Sequence, residues 1–208
     1  MKNKITAMTV ALLVFCMADF LYALDYKGFA ITDDFGISFT STSDAAPSPV
    51  NHTPGIEIFL HITDNISFHP ALALSWGEFL MSANKAAPAE IEAANAALLL
   101  SIILRPYIGY HIDINSILSF DGFFSPTLIF KLPIKSYGQD PSGELLSYYY
   151  GGFRLIYPEL SLRISWKITE HMSIMVGETT RIPLFRLWDS YPFYDELGLF
   201  LHLGLVLK

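Results

Sequence analysis

Leu98-Leu-Leu-Ser-Ile-Ile-Leu-Arg-Pro-Tyr-Ile-Gly-Tyr-His-Ile-Asp-Ile114 decides how this chain folds. Read as a helix, the apolar run from Ala96 to Leu104 is nine residues long and stops at Arg105-Pro106. A bilayer-spanning helix needs about 20. Read as a strand, every even position is apolar or proline, opposed by Ser101, Arg105, Tyr107, Gly109, His111 and Asp113. A period of two held over such a length puts one face against an apolar medium and the other against a polar one.

The same pattern repeats on both sides. Ile56, Ile58, Leu60 and Ile62 alternate with Glu57, Phe59, His61 and Thr63, and Ile66 to Trp76 continues it. Leu118 to Phe130, Ile156 to Ile168 and Leu197 to Leu207 alternate likewise. A run from Met172 and another around Phe35-Ile37-Phe39 complete eight strands. Soluble strands are usually about five or six residues long, whereas about ten residues of apolar-out, polar-in alternation marks a transmembrane barrel. Composition agrees. The 208 residues are 52% hydrophobic and only 16% charged, with mean hydropathy +0.39, yet no helical span follows the N-terminus. A closed barrel is the other structure that satisfies its backbone in lipid. The reading is therefore all-β: an eight-stranded antiparallel up-and-down transmembrane β-barrel. A net charge of -7 with no basic stripe excludes a nucleic-acid partner.

Lys2 and Lys4 before the apolar run Ile5 to Met17, with Ala23 beyond, read as a cleavable signal peptide over 1–23 and a barrel over 24–208. Leu21 is large for the position three before the cut, and lipoprotein processing at Cys16 is the rival reading. Cleavage after Ala23 removes the single cysteine, and with it disulfide and thiol chemistry. Secretion, the barrel and its loops together predict the bacterial outer membrane, with the long loops at the cell surface.

Three connections are short: Ile62 to Ile66, Ile114 to Leu118 and Ile168 to Met172. Asn65 and His171 suit the left-handed residue of a three-residue hairpin loop. Four connections are long: 43–54, 77–96, 133–152 and 185–194, with a short helix expected over 89–96. Trp76, Tyr148-Tyr149-Tyr150, Trp188, Tyr191 and Tyr194 at one end, and Trp166 at the other, read as interfacial girdles.

Inward phases carry Asp34, Glu57, Asp121 and Glu159 against Arg105, Lys131, Arg163 and Lys167, a charge network that would plug so narrow a lumen. Phe59, Leu99, Ile103, Phe123, Ile129 and Phe200 share the inward phase and predict an apolar lumen floor. His61, His69, His111, His171 and His202 fall at inward or turn positions without tight metal spacing, so hydrogen-bonded histidines are expected and no metal or cofactor. A catalytic site would need His52 with Asp44, Ser48 or Ser41 in the first long loop, a spacing without specificity, and no catalytic residue is assigned.

Pro70, Pro106, Pro126 and Pro158 occupy outward phases of four consecutive strands, where proline is unexpected because it donates nothing to the ladder. The turn register sets Pro106 opposite Pro126; either each proline simply bends its strand or blunts mispairing, or the weakened wall there is a lateral opening. Glu178 continues the outward phase of Met172, Ile174 and Val176 and so points at lipid, unless a bulge at Gly177 turns it inward.

Signal, eight strands, short inner turns, long outer loops and proline-interrupted walls together resemble the small eight-stranded outer-membrane barrels. Among these the outer-membrane protein W-like group is most similar in architecture over 24–208. That resemblance implies a narrow apolar channel for small hydrophobic compounds, opening sideways into the bilayer. The C-terminus departs from it, ending Leu203-Gly-Leu-Val-Leu-Lys208 where such barrels finish in an aromatic residue. The expected partners are outer-membrane lipid, a small hydrophobic ligand, and a host or envelope partner at the long loops. The leading expectation is binding or passage of small hydrophobic molecules. The alternatives are a structural or adhesive barrel with a plugged lumen, and an outer-leaflet lipid-modifying enzyme.

Overall fold

The computed structural model describes residues 24–41, 50–82, 84–90, 92–187, 189 and 192–208. The leader 1–23 with Cys16, and Asp44, Ser48, Trp188 and Tyr191, lie outside the described residues. The strands are β1 (Asp25–Ser38), β2 (Val50–His61), β3 (Ile66–Ser82), β4 (Lys85–Pro88), β5 (Ala96–Asp113), β6 (Leu118–Ser136), β7 (Ile156–Thr169), β8 (Met172–Arg181) and β9 (Gly198–Leu207). One helix, α1 (Ser142–Gly151), follows β6. Leaving out β4, each strand pairs antiparallel with the next in chain order, and β1 pairs with β9 to close an eight-stranded barrel. Closure removes every long sheet edge, which a barrel in lipid requires.

Alternation sets the faces as read. Ile66, Leu72, Leu74 and Trp76 on β3, or Leu160, Leu162, Ile164 and Trp166 on β7, are exposed outward, while the residues between them turn in. The ten residue steps from Ile66 to Trp76 give an apolar band about 25 Å tall at the usual rise and tilt, the thickness of an outer-membrane barrel's coat.

The short turns hold their register by side-chain capping. Ile62 donates to the Ile66 carbonyl at 2.8 Å and Ile114 to that of Leu118 at 2.9 Å. Thr63 Oγ1 accepts from the Ile66 amide, and Asn115 Oδ1 from those of Ile117 and Leu118. Neither Asn65 nor His171 takes a positive φ; Thr63 Oγ1 caps the first turn, and Thr169 Oγ1 accepts from the His171 amide in the third. The third turn also differs from expectation: a register shift after Lys167 pairs Thr169, not Ile168, with Met172.

The long connections fold inward. No helix forms over the described part of 89–96. Instead β4 runs back along the upper edge of β3 (Phe79 opposite Pro88, Ser82 opposite Lys85), and the helix lies in the next loop. Tyr148 and Tyr149 are therefore not girdle residues. They are buried on α1 with Leu145, against Leu99, Ala97 and Ala86. Leu145 is fully enclosed, so Leu145→Ala should cost about 2–5 kcal/mol of local packing. We expect faster tryptic cleavage at Lys135 with the barrel itself intact.

Glu178 stays outward. No register shift occurs at Gly177, and Glu178 pairs directly between Leu162 and Leu201, which are 57% and 50% exposed. The expected inward-turning bulge is absent because the ladder on both sides of Gly177 is regular.

Candidate functional site

The prolines form a row. Pro70 is the Cα partner of Pro106, and Pro126 of Pro158. In an antiparallel pair each residue directs its N–H to one neighbour only, alternating along the strand. The turn bonds at Ile62/Ile66 and Ile114/Leu118 fix that alternation. It makes Pro106 and Pro126 a mutual pair in which both donors are missing, and the β5–β6 ladder skips from Leu104/Leu128 to Ile108/Phe124. The same count aims the missing donor of Pro70 at β2, where the ladder skips from Glu57/Ala71 to Leu60/Phe68.

A fifth proline, Pro54, sits on that same β2–β3 seam. Its donor would face Leu74, and the ladder ends one residue short, at Gly55/Ala73. Sequence reasoning placed Pro54 at the end of a loop. Above Gly55, β2 continues to Val50 paired with β1 alone, and β3 continues to Ser82 paired with β5 and then β4. Among the described residues the wall is split between β2 and β3.

A cavity of about 460 Å³ lies behind this split. Its inner wall includes Thr53, Ser75, Ser101, Ile103, Ile129, Lys131, Tyr157 and Arg181. Its lining also includes His52 and Trp76 from the outward face of β2 and β3, so it reaches from lumen to coat. His52 is held there by Asp33, with Phe35 stacked on it and Trp76 edge-on at 5.8 Å. The loops brace the mouth above. Arg186 binds Asp195, Glu196 and Asp189, Lys85 binds Asp195, and Glu196 accepts from Tyr148 and Tyr157. Burial raises the Tyr148 hydroxyl well above its ordinary value, with the nearby Glu196 carboxylate adding to the rise, so it stays a donor.

Below the cavity the lumen is crossed by charge. Arg105 bridges Asp34 at 2.5 Å and Glu159 at 3.0 Å, and Arg181 holds the other oxygen of Glu159. Arg163 contacts both oxygens of Glu57, at 2.7 and 2.8 Å. His69 and His202 bond Glu57 and Asp34, and Tyr107 donates to Glu159. Three carboxylates thus meet three guanidiniums, all nine-tenths buried or more. Many of these partners sit on non-adjacent strands, β1 with β5 and β2 with β7, so the layer spans the bore.

Five of the eight expected network residues meet here: Asp34, Glu57, Arg105, Glu159 and Arg163. Arg181 was missed because the phase of β8 was left open at Gly177. Asp121 does not join. It pairs with His111 nearer the short turns. Lys131 stands above the layer, and Lys167 is exposed below it. The lower space, about 680 Å³, is a polar funnel lined by His61, His69, His111, Asp121 and Lys167.

The expected apolar residues all face inward and are buried, but they form no single floor. Leu99 packs under α1, and Ile103 and Ile129 pack with Ala73, Tyr157 and Phe185 above the charge layer. Phe59 clusters with Ala30, Met175 and Val206, while Phe123 lies on His69 and Phe200 beneath Arg181. The charge layer separates them. Among the described residues no group of three or more metal-ligating side chains occurs, and Ser41 engages Lys85 and Asp195 rather than His52.

No protein-family model matches the chain, and no curated protein is matched. Among solved structures, Neisserial surface protein A aligns with TM-score 0.50 and 11% identity, over 88% of this chain and 99% of that one. This is an outer-membrane β-barrel by fold. Ail, the attachment invasion locus protein of Yersinia pestis, solved in complex with sucrose octasulfate, aligns with TM-score 0.48 and 9% identity over 86% and 95%. Identity this low carries architecture and nothing of either neighbour's binding.

Proposed function

We propose that this barrel sits in the bacterial outer membrane and binds small hydrophobic molecules, which enter from the outer leaflet through the β2–β3 split. The observation that supports this is the cavity lined at once by lumen-facing Ile103 and Ile129 and by outward-facing His52 and Trp76. Its volume lies within the range of about 300–1,000 Å³ usual for small-molecule sites. The resemblance to the W-like barrels implies the same sideways route. Straight passage down the bore is disfavoured, because a ligand would have to displace a layer of four buried ion pairs, each several kcal/mol to break.

The test compares two seams in protein held in zwitterionic nanodiscs, using a fluorescent naphthylamine as the apolar probe. Pro54→Val/Pro70→Val restores donors toward Leu74 and Ile58 and should slow probe uptake severalfold. Pro106→Val/Pro126→Val repairs the β5–β6 ladder and should leave uptake unchanged within about twofold. The reverse result would place the opening at β5–β6, and uptake indifferent to both would overturn the lateral route.

A further inference from the structure

Resting on the cavity reading above, we infer that the ligand is an anionic amphiphile, a single apolar tail whose acidic head is held inward by Lys131. Lys131 stands on the lumen face of β6 and lines the cavity, half-buried. Its ammonium lies 4.0 Å from the centre of the Phe79 ring and 4.4 Å from that of Tyr149. Only its backbone groups bond a side chain, that of Tyr150; no carboxylate among the described residues lies within ion-pair distance of its ammonium, and the Glu196 carboxylate acts on it only from farther off.

Of the other charges around the cavity, Glu196 and His52 have opposite partners and Glu78 has only a backbone donor. Glu196 is held by Arg186, Tyr148 and Tyr157, Glu78 accepts from the Glu92 amide, and His52 is bound to Asp33. Arg181 gives its Nε to Glu159 but leaves Nη2 buried without a partner. At the inner end of the cavity the charge without an opposite partner is therefore positive, whereas Glu78, on the outward phase of β3 next to Trp76, keeps a negative charge that a backbone amide does not neutralise. A half-buried cation with aromatic rings on two sides is stabilised further by an anion, which restores what desolvation removed. An apolar tail extending from that head toward the split would leave through the β2–β3 wall.

The test uses the full chain in zwitterionic nanodiscs with a dansyl-labelled undecanoate as probe, displaced by dodecanoate, dodecyl phosphate or dodecan-1-ol. Dodecanoate or dodecyl phosphate should displace it about tenfold or more better than the alcohol, the ratio of the two acids identifying the head. Lys131→Met should reduce the acids to the level of the alcohol, and Lys131→Arg should keep their advantage. Unchanged alcohol binding shows that each variant is folded. Equal displacement by acid and alcohol, or an acid advantage that survives Lys131→Met, overturns the anionic head and leaves the cavity reading standing. Displacement by none of the three, with no uptake of the probe, removes both.

Discussion

Replacing Arg105 by Met should lower the stability of the barrel by about 3–5 kcal/mol, the cost of leaving buried charge without its partner. Arg105 is 2% exposed and serves two carboxylates on different strands, Asp34 on β1 and Glu159 on β7. Without it Asp34 keeps only His202, while Glu159 keeps Arg181 and Tyr107. The measurement is guanidinium unfolding in detergent, with gel mobility against temperature as a second readout. Arg105→Lys should recover little, since a single ammonium cannot reach both carboxylates in the fixed geometry of a guanidinium. Asp34→Asn/Arg105→Met should cost less than the two single losses added together, because the pair is coupled. A single variant as stable as the parent would show that the layer contributes nothing.

A cysteine staple should close the wall. Thr53 and Ser75 would be opposite one another if the β2–β3 register ran one step beyond Pro54/Leu74, and both line the cavity. Thr53→Cys/Ser75→Cys should oxidise only as the strands come together, since a disulfide needs Cα atoms within about 7 Å. Once formed it should reduce uptake of the naphthylamine probe by about tenfold or more, and dithiothreitol should restore it. Unaltered uptake in the fully oxidised protein would exclude this seam as the entrance. The reduced double variant serves as the control for lost hydroxyls.

Much of the barrel was legible because a strand in lipid writes its environment into every second residue. Leu98 to Ile114 alone fixes a face, and the turns at Ile62 and Ile114 fix two registers, hence the opposition of Pro106 and Pro126. The mouth was not legible. Tyr148-Tyr149-Tyr150 resembles an interfacial girdle in one dimension, and only the packing of α1 against Leu99 shows that it is core. The β2–β3 split was not legible for a related reason. Pro54 sits where alternation gives way to Thr53 and His52, which read as loop, so the second proline of the β2–β3 seam escaped notice while the β5–β6 pair drew attention. Charge partners across the bore depend on curvature, which a period of two does not encode, so Asp121 and Lys167 could not be told from the true members.

The charge layer also bears on how the chain assembles. Asp34 lies on the first strand, His202 on the last, and Arg105 near the middle of the chain. A growing open sheet cannot bring β1 to β5 or β2 to β7 across a bore that does not yet exist. Until β1 meets β9, those side chains must stay hydrated, and a one-residue slip would turn every one of them toward lipid. Sealing and neutralisation therefore occur together, and a miscounted or shifted cylinder would carry unmatched charge.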